Sequence, residues 1–315
     1  MAYNLGVSQR TSRHIDARTR YCAVLGHPIR HSASPAMQNA GFAALGLNWK
    51  YLACDVRPRE LQSALDGAKQ MGFLGLNLTV PHKLLAVEMM DVLDKSAHLW
   101  GAVNTVRFEA RNPQGRWTPL GLLADDPPGK IRTHGFNTDA DGLALALQED
   151  LGFDPAGTRV LVLGAGGGAG QVAAKRLARD GAAELFLVNR TASKVRKLAK
   201  EIGRRCPRTR VTVGFPEGRV DLLLNATSLG LRLNDPLPLD EEKFQIEQAA
   251  AVFDMIYRPT ETPLLKLARQ RGCKSANGLD MLLWQGAKAL EIWTGKAAPV
   301  AAMRKALQRE LSVKN

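Results

Sequence analysis

Long apolar runs are missing from this chain of 315 residues. No stretch approaches the roughly 18 consecutive apolar residues of a bilayer-spanning helix, so no membrane partner is expected. Residues 1–20 lack the apolar core of a secretory signal and read as a basic arm, carrying Arg10, Arg13, Arg18 and Arg20 against Asp16. Cysteine is scarce as well. Cys22, Cys54, Cys206 and Cys273 stand far apart with no C-x-x-C pair, which argues against a zinc site or a dithiol motif and fits a reducing, cytoplasmic setting. Aromatic residues make up only 6%. No aromatic platform is interleaved with basic residues, and no RNA-binding signature or zinc finger is present, so no specific nucleic-acid partner is expected.

Acids are outnumbered, 30 Asp and Glu against 43 Lys and Arg, for a net charge of +13. The excess is concentrated. Between Arg159 and Arg210 stand 13 basic residues against Asp180, Glu184 and Glu201. Such a patch suits a small anionic ligand such as a phosphate-bearing cofactor, with a solvated basic face accounting for most of the remainder.

Apolar patterning predicts an alternation of strands and helices. Strands are expected at residues 21–26, 49–56, 73–80 and 103–109, and helices at 35–45, 59–71 and 81–93, the last opened by Pro81. Residues 111–134, rich in proline and glycine, read as a long surface excursion. The rhythm then restarts with helices at 143–151, 170–181 and 191–202 and strands at 159–163, 184–188, 211–213, 220–224 and 251–255. Two closing helices follow at 279–293 and 299–311. This alternation predicts an α/β fold with two domains. One is an amino-terminal, mostly parallel substrate domain; the other is a Rossmann-type domain, with a cleft between them. The length also suggests about two domains.

The apolar strand Val160-Leu-Val-Leu runs into Gly164-Ala165-Gly166-Gly167-Gly168-Ala-Gly170 and then into a helical pattern. Glycines allow a tight turn and close backbone approach to a pyrophosphate, and the helix start supplies free N–H groups. The next strand ends in Asn189-Arg190-Thr191 where an NAD-binding unit usually places an acid for the ribose hydroxyl. An acid would repel a 2′-phosphate, whereas Arg190 attracts it, with Asn189, Thr191 and Lys194 alongside. NADP is therefore favoured over NAD. The plainer reading makes Thr191 a helix cap and Arg190 a surface charge.

Three further stretches carry candidate chemistry. Asn77-Leu-Thr79-Val-Pro-His-Lys83 places a lysine at a strand exit, where ligands collect in open α/β sheets. Such a lysine can hold, protonate or deprotonate a substrate oxygen, or simply decorate the surface. His31-Ser32-Ala-Ser34-Pro35 offers two hydroxyls to a carboxylate before a helix, unless one serine is only an N-cap. Gly135-Phe-Asn137-Thr138-Asp139-Ala-Asp141-Gly142 superficially resembles a calcium loop. Its twelfth position is Gln148 rather than glutamate, so calcium is rejected and Asp139 is assigned to the cleft. His27 and His31 are separated by Pro28, and no metal is assigned.

In order along the chain these blocks are G-x-P-I-x-H-S-x-S-P, N-L-T-V-P-H-K, G-A-V-N-T, G-x-N-T-D, the glycine turn, N-R-T, N-A-T-S-L-G, D-M-I-Y-x-P-x-x-T-P-L and N-G-L-x-M-L-x-x-Q-G. Together they resemble the shikimate dehydrogenase family from Tyr21 to about Trp293. The resemblance implies reversible, NADPH-dependent reduction of 3-dehydroshikimate to shikimate in aromatic amino-acid biosynthesis. It implies that Ser32 and Ser34 bind the substrate carboxylate. Thr79, Asn104, Asp139 and Gln285 would bind the ring hydroxyls, with Tyr257 at the cleft. Lys83 and Asp139 would form the catalytic pair. Asn225, Thr227, Met255 and Gly278 would lie near the cofactor. It also implies a discontinuous first domain, 1–138 with 279–315, around a dinucleotide domain at 139–278, in a monomer or homodimer. Rival expectations are a quinate or quinate/shikimate dehydrogenase using NAD, and a non-catalytic NADP-sensing regulator. Three features depart from the family pattern: Gly168 as an added glycine, the long 111–134 excursion, and the basic arm.

Overall fold

The computed structural model describes residues 15–123, 129–232 and 234–313. Most of the predicted arm, residues 1–14, lies outside them. Arg20, the arm's last basic residue, belongs to the first strand and donates to the carbonyls of Leu120 and Leu123 at 2.7 and 3.1 Å.

The first sheet is built from β1 (Arg20–Gly26), β2 (Trp49–Asp55), β3 (Gly75–Leu78), β4 (Val92–Leu93), β5 (Thr105–Arg111), β6 (Trp117–Pro119) and β7 (Arg132–Phe136), in the order β2-β1-β3-β5-β7-β4 with β6 on β5. Helices α1 (Ser34–Ala44), α2 (Leu61–Gln70) and α3 (Lys95–Trp100) connect its strands. The expected parallel arrangement holds for β2-β1-β3 and gives way at β5, which runs antiparallel to β3, β6 and β7. The proline-rich segment follows β5 and continues this antiparallel pattern. Its first part is no loose excursion but a hairpin, turned at Asn112–Gly115 and closed by β6, with Leu120 buried beneath it, while residues 124–128 lie outside the described residues.

The predicted helix at 81–93 is also absent. His82 is fully buried and its Nε2 lies 2.9 Å from the Val56 carbonyl. The Lys83 carbonyl accepts the Val103 amide at 2.8 Å instead of bonding within a helix. Only a short 3₁₀ turn forms at Leu85–Met89, and Val92–Leu93 is then drawn out to pair with β7. Cross-chain hydrogen bonds have outcompeted local helix propensity.

After α4 (Asp139–Leu151) the second sheet follows. Its strands are β8 (Arg159–Leu163), β9 (Glu184–Val188), β10 (Arg210–Val213), β11 (Val220–Asn225), β12 (Ala249–Asp254) and β13 (Lys274–Asn277). The interleaved helices are α5 (Gly168–Arg179), α6 (Ala192–Arg205) and α7 (Pro263–Gln270). All its pairings are parallel, in the order β10-β9-β8-β11-β12-β13. This is the doubly wound Rossmann order, with the topological switch between β8 and β11. The central strands are apolar on both faces, as buried parallel strands must be. Val195, Leu198 and Ile202 bury one stripe of α6 and leave its other faces charged. α3, α7 and β13 were not anticipated. The first two are short, and β13, Lys-Ser-Ala-Asn, is half exposed at a sheet edge.

The chain closes with α8 (Leu279–Thr294) and α9 (Val300–Val313). Their apolar residues Leu283, Leu290, Trp293, Met303 and Leu307 join the core of the first sheet, while Leu143, Leu147 and Leu151 of α4 join that of the second. α4 and α8 lie side by side. A Cβ on Gly142 would meet the backbone nitrogen of Gln285 at 2.9 Å, so glycine is what lets the two helices touch. Among the described residues no helix is long and apolar enough to cross a membrane.

Candidate active site

Strand ends supply the candidate reactive groups. β3 leads directly to Thr79 and the turn carrying Lys83, and the segment after β7 enters α4 at Asp139. The lysine Nζ donates to Asp139 Oδ2 at 2.8 Å, with side chains 13% and 4% exposed. The other carboxylate oxygen, Oδ1, accepts from Asn104 Nδ2 at 2.9 Å. Asn104 is held in turn. Its Oδ1 accepts the Thr138 amide at 2.8 Å, and its amide group also lies 3.3 Å from Gln285 Oε1 on α8. The two charges hold each other in place, since removing one partner of a largely buried pair costs about 3–5 kcal/mol. The lysine keeps donors free for a substrate oxygen, because an ammonium carries three.

A second layer supports the first. Asn77 Nδ2 donates to the Asn104 carbonyl at 3.1 Å and to Thr105 Oγ1 at 3.0 Å, and its Oδ1 accepts from the Tyr51 hydroxyl at 2.6 Å. Asn77, Thr105 and Thr138 stood in the quoted sequence blocks without a role. The signal was available, because a buried amide at the end of an apolar strand needs partners.

The predicted carboxylate-binding serines form a neighbouring cluster. Ser32 Oγ accepts the Ser34 amide, and the Tyr257 hydroxyl accepts the Ala33 amide, both at 3.3 Å. Ser34 is buried just where α1 begins, with no side-chain cap at that end. Burial pushes the Tyr257 phenol above its ordinary range, which keeps it a neutral hydrogen-bonding group. Thr79 is tied to the exit of β1 through its amide on the Leu25 carbonyl at 2.9 Å.

The glycine turn sits at the switch between β8 and β11. Gly164 has φ +78°, and a Cβ there would lie 2.8 Å from the Thr227 amide nitrogen. A Cβ on Gly166 would strike the Asn189 side chain at 2.6 Å, where Asn189 Oδ1 accepts the Gly166 amide at 3.2 Å. α5 begins at Gly168, two residues earlier than predicted, behind an N-cap Gly167 without a side-chain cap. Gly168 therefore adds no spacer; it is the first helical residue. An uncapped helix start leaves backbone donors available to an anion. The position a Cβ would take on Gly168 is 3.5 Å from Lys83 Cβ, so this turn abuts the lysine–carboxylate pair. Ala165 is buried beneath it.

Beyond the turn, Asn225 Oδ1 accepts the Thr227 amide and hydroxyl at 3.0 and 2.8 Å. Asn225 Nδ2 donates to Asp254 at 3.0 Å. Asp254, which sequence reasoning missed, is fully buried without a cation. It accepts from Thr262 Oγ1 at 2.7 Å, and burial raises its pKa from the usual 3.8 to about 6. An acid closing the apolar strand Ala-Val-Phe-Asp was its sequence signal. Gly278 passes so close to the Met255 carbonyl that any side chain would overlap it. Arg190, Thr191 and Lys194 stand exposed at the start of α6. Thr191 occupies the N-cap position, yet its side chain makes no capping bond, contrary to expectation. Among the described residues the side chains of Arg190 and Lys194 have no hydrogen-bond or ion-pair partner. No group of acids, histidines and cysteines suited to a metal occurs there either.

A Rossmann unit whose glycine-rich turn lies against a largely buried lysine–carboxylate pair is the layout of a two-domain α/β dehydrogenase. The sequence comparisons narrow that class. The family description "Shikimate dehydrogenase substrate binding domain" matches residues 24–106. "Shikimate / quinate 5-dehydrogenase" matches 146–213, and "Shikimate 5'-dehydrogenase C-terminal domain" matches 278–308. A shikimate dehydrogenase (NADP(+)) of Methanopyrus kandleri is 41% identical over 304 residues, 94% of this chain and 98% of that protein. The crystal structure of shikimate 5-dehydrogenase from Thermus thermophilus with NADP(H) and shikimate is 36% identical. It superposes with a TM-score of 0.74 over 92% of this chain and 99% of the other. The shikimate dehydrogenase of Aquifex aeolicus gives 0.76 at 32% identity, over 94% and 100%. The chain belongs to the shikimate dehydrogenase family.

Proposed function

We propose that this protein is an NADP-dependent shikimate dehydrogenase, reducing 3-dehydroshikimate to shikimate reversibly on the route to aromatic amino acids. The observation that carries the reading is the Lys83–Asp139 contact of 2.8 Å, set against the turn that begins α5. NADPH, when bound, supplies the hydride. The residues present fit such a cofactor. Gly164, Gly166 and Gly168 leave the backbone bare, the α5 start is uncapped, and Arg190 and Lys194 are cations awaiting an anion.

The chain's own contribution begins with the substrate. Ser32, Ser34 and Tyr257 would hold its carboxylate, and Thr79, Asn104 and Gln285 its ring hydroxyls. As the carbonyl carbon takes up hydride, its oxygen becomes an alkoxide that needs a proton. Lys83 sits to donate that proton or to hold the oxygen by its charge, and Asp139 keeps the ammonium in place. In the reverse direction the same pair removes the proton from the hydroxyl. Asn104 fixes the orientation of Asp139, so the pair is set before substrate arrives. Asn225, Thr227, Met255 and Gly278 shape the floor on the cofactor side.

The working units in this reading are 1–138 with 279–315 for substrate and 139–278 for NADP, in a cytoplasmic monomer or homodimer. The test follows NADP reduction by its absorbance, with shikimate or quinate as substrate and NAD as the competing cofactor. Rapid turnover with shikimate and NADP is expected. Absence of turnover with every pair would overturn the proposal, and a preference for NAD would overturn the role of Arg190.

A further inference from the structure

Outside the reactive cluster, one group of charges joins the two sheets' helices. α3 ends at Trp100, and Gly101 turns the chain with φ +66°. The last carbonyls of a helix have no partner within it. Here Lys175, on α5, donates from Nζ to the Trp100 carbonyl at 3.2 Å, and Arg205, at the end of α6, donates from Nη1 to the Leu99 carbonyl at 3.2 Å. Glu201 lies between these cations, 3.0 Å from Lys175 and 3.7 Å from Arg205. The Lys175 side chain is 10% exposed, the Arg205 side chain 52%. The lysine is therefore the fixed member. Trp100, Ala102, Ala140 and Val172 form a small apolar core alongside.

What lies just beyond α3 makes this contact consequential. The Ala102 carbonyl accepts from Asn137 Nδ2 at 3.0 Å. The Val103 amide donates to the Lys83 carbonyl at 2.8 Å, and Asn104 reaches Asp139. Residues 101–104 thus support both members of the reactive pair. Lys175 grips the head of that segment from α5, two helical turns after Gly168.

We propose that Lys175 is a positioning residue. By clasping the end of α3 it fixes the pair Lys83–Asp139 relative to the first turn of α5, and so the alignment of proton and hydride transfer. The proposal rests on the dehydrogenase reading. A helix that faces the dinucleotide at one end and holds the support of the proton donor further along couples the two halves of the reaction through a rigid element.

The experiment compares full-length wild type with Lys175→Met and Lys175→Arg, measuring kcat, KM and the primary deuterium isotope effect with NADPH labelled at the transferred position. For Lys175→Met kcat is expected to fall about tenfold, within the hundredfold that a 1 Å misplacement can cost. The KM for 3-dehydroshikimate should change by less than about twofold. The isotope effect should rise as misaligned hydride transfer becomes the slow step, and Lys175→Arg should restore most of the rate. Unchanged kcat and isotope effect, even with a lowered melting temperature, would reduce Lys175 to a structural role and overturn the proposal. Should Lys175→Met fail to fold, Glu201→Gln removes the anchor and leaves the lysine. It should shift both quantities in the same direction by less, and no shift overturns the proposal equally. An inactive wild type would overturn the dehydrogenase reading and this role with it, whereas an active wild type with unaffected variants overturns this role alone.

Discussion

The cluster around Lys83 and the rim around Arg190 are built on opposite terms. Around Lys83 the charges are largely buried, and Lys83, Asp139, Asn104 and Thr138 are joined by hydrogen bonds of 2.8–2.9 Å. At the rim, Arg190 and Lys194 are exposed and their side chains have no partner among the described residues. Desolvated charges are stable only in a fixed arrangement, so the cluster holds its geometry without ligand. Solvated cations cost little when idle and gain their partner only when an anion arrives. On the proposed function, reaction chemistry falls in the fixed part and cofactor selection in the adaptable part.

Four substitutions probe that contrast. Lys83→Ala should lower kcat by roughly a hundred- to ten-thousand-fold, the range of lost acid–base catalysis. A melting curve would show whether the stranded Asp139, still held by Asn104, leaves the fold intact. Near-normal turnover would dissolve the contrast at once. Arg190→Ala removes a charged contact worth about 1.5–3 kcal/mol, so KM for NADP should rise roughly ten- to a hundredfold with kcat nearly unchanged and any turnover with NAD unaffected. A loss confined to kcat would mean that the rim shares in catalysis. Lys194→Ala, at an equally exposed site, should raise KM for NADP only a few-fold, about 1 kcal/mol or less.

The last substitution concerns stability. Burial lifts the Asp254 carboxyl from 3.8 to about 6, so the folded protein binds a proton there that the unfolded chain releases. Its contribution to stability is complete below about pH 4 and is lost as pH rises toward 6, by at most about 3 kcal/mol. Asp254→Asn should flatten that part of the curve of unfolding free energy against pH, with activity at neutral pH changed least of the four. An unaltered slope would show that Asp254 is not the titrating group. Glu109 acts with the opposite sign. Held by Arg107, Arg132 and His134, its pKa is lowered to about 2, so its stabilisation is present above 4.5 and lost as pH falls toward 2.

The sequence was most legible where local chemistry and tertiary structure agree. Strand, glycine turn and helix at 159–179 read directly, because bare backbone at Gly164 and Gly166 has no substitute. Lys83 and Asp139 were legible only as members of ordered blocks, since nothing local says that residues 56 apart in the chain lie 2.8 Å apart. The misreadings arose where distant strands decide. The Lys83 carbonyl takes its hydrogen bond from Val103, and the 81–93 segment cannot then coil. Pairing of β5 with β6 turned residues 111–119 into a hairpin, and its pairings with β3, β6 and β7 made half of the first sheet antiparallel. Asp254 escaped notice because its role is to be buried, which composition does not reveal.

The chain passes between its two sheets twice, by way of α4 and α8, and the missing side chain of Gly142 presses those passages together at Gln285. Two adjacent connections define a single axis. Asp139 opens the first of these passages and Gln285 lies on the second, so the candidate catalytic carboxylate stands where the two sheets are tied together.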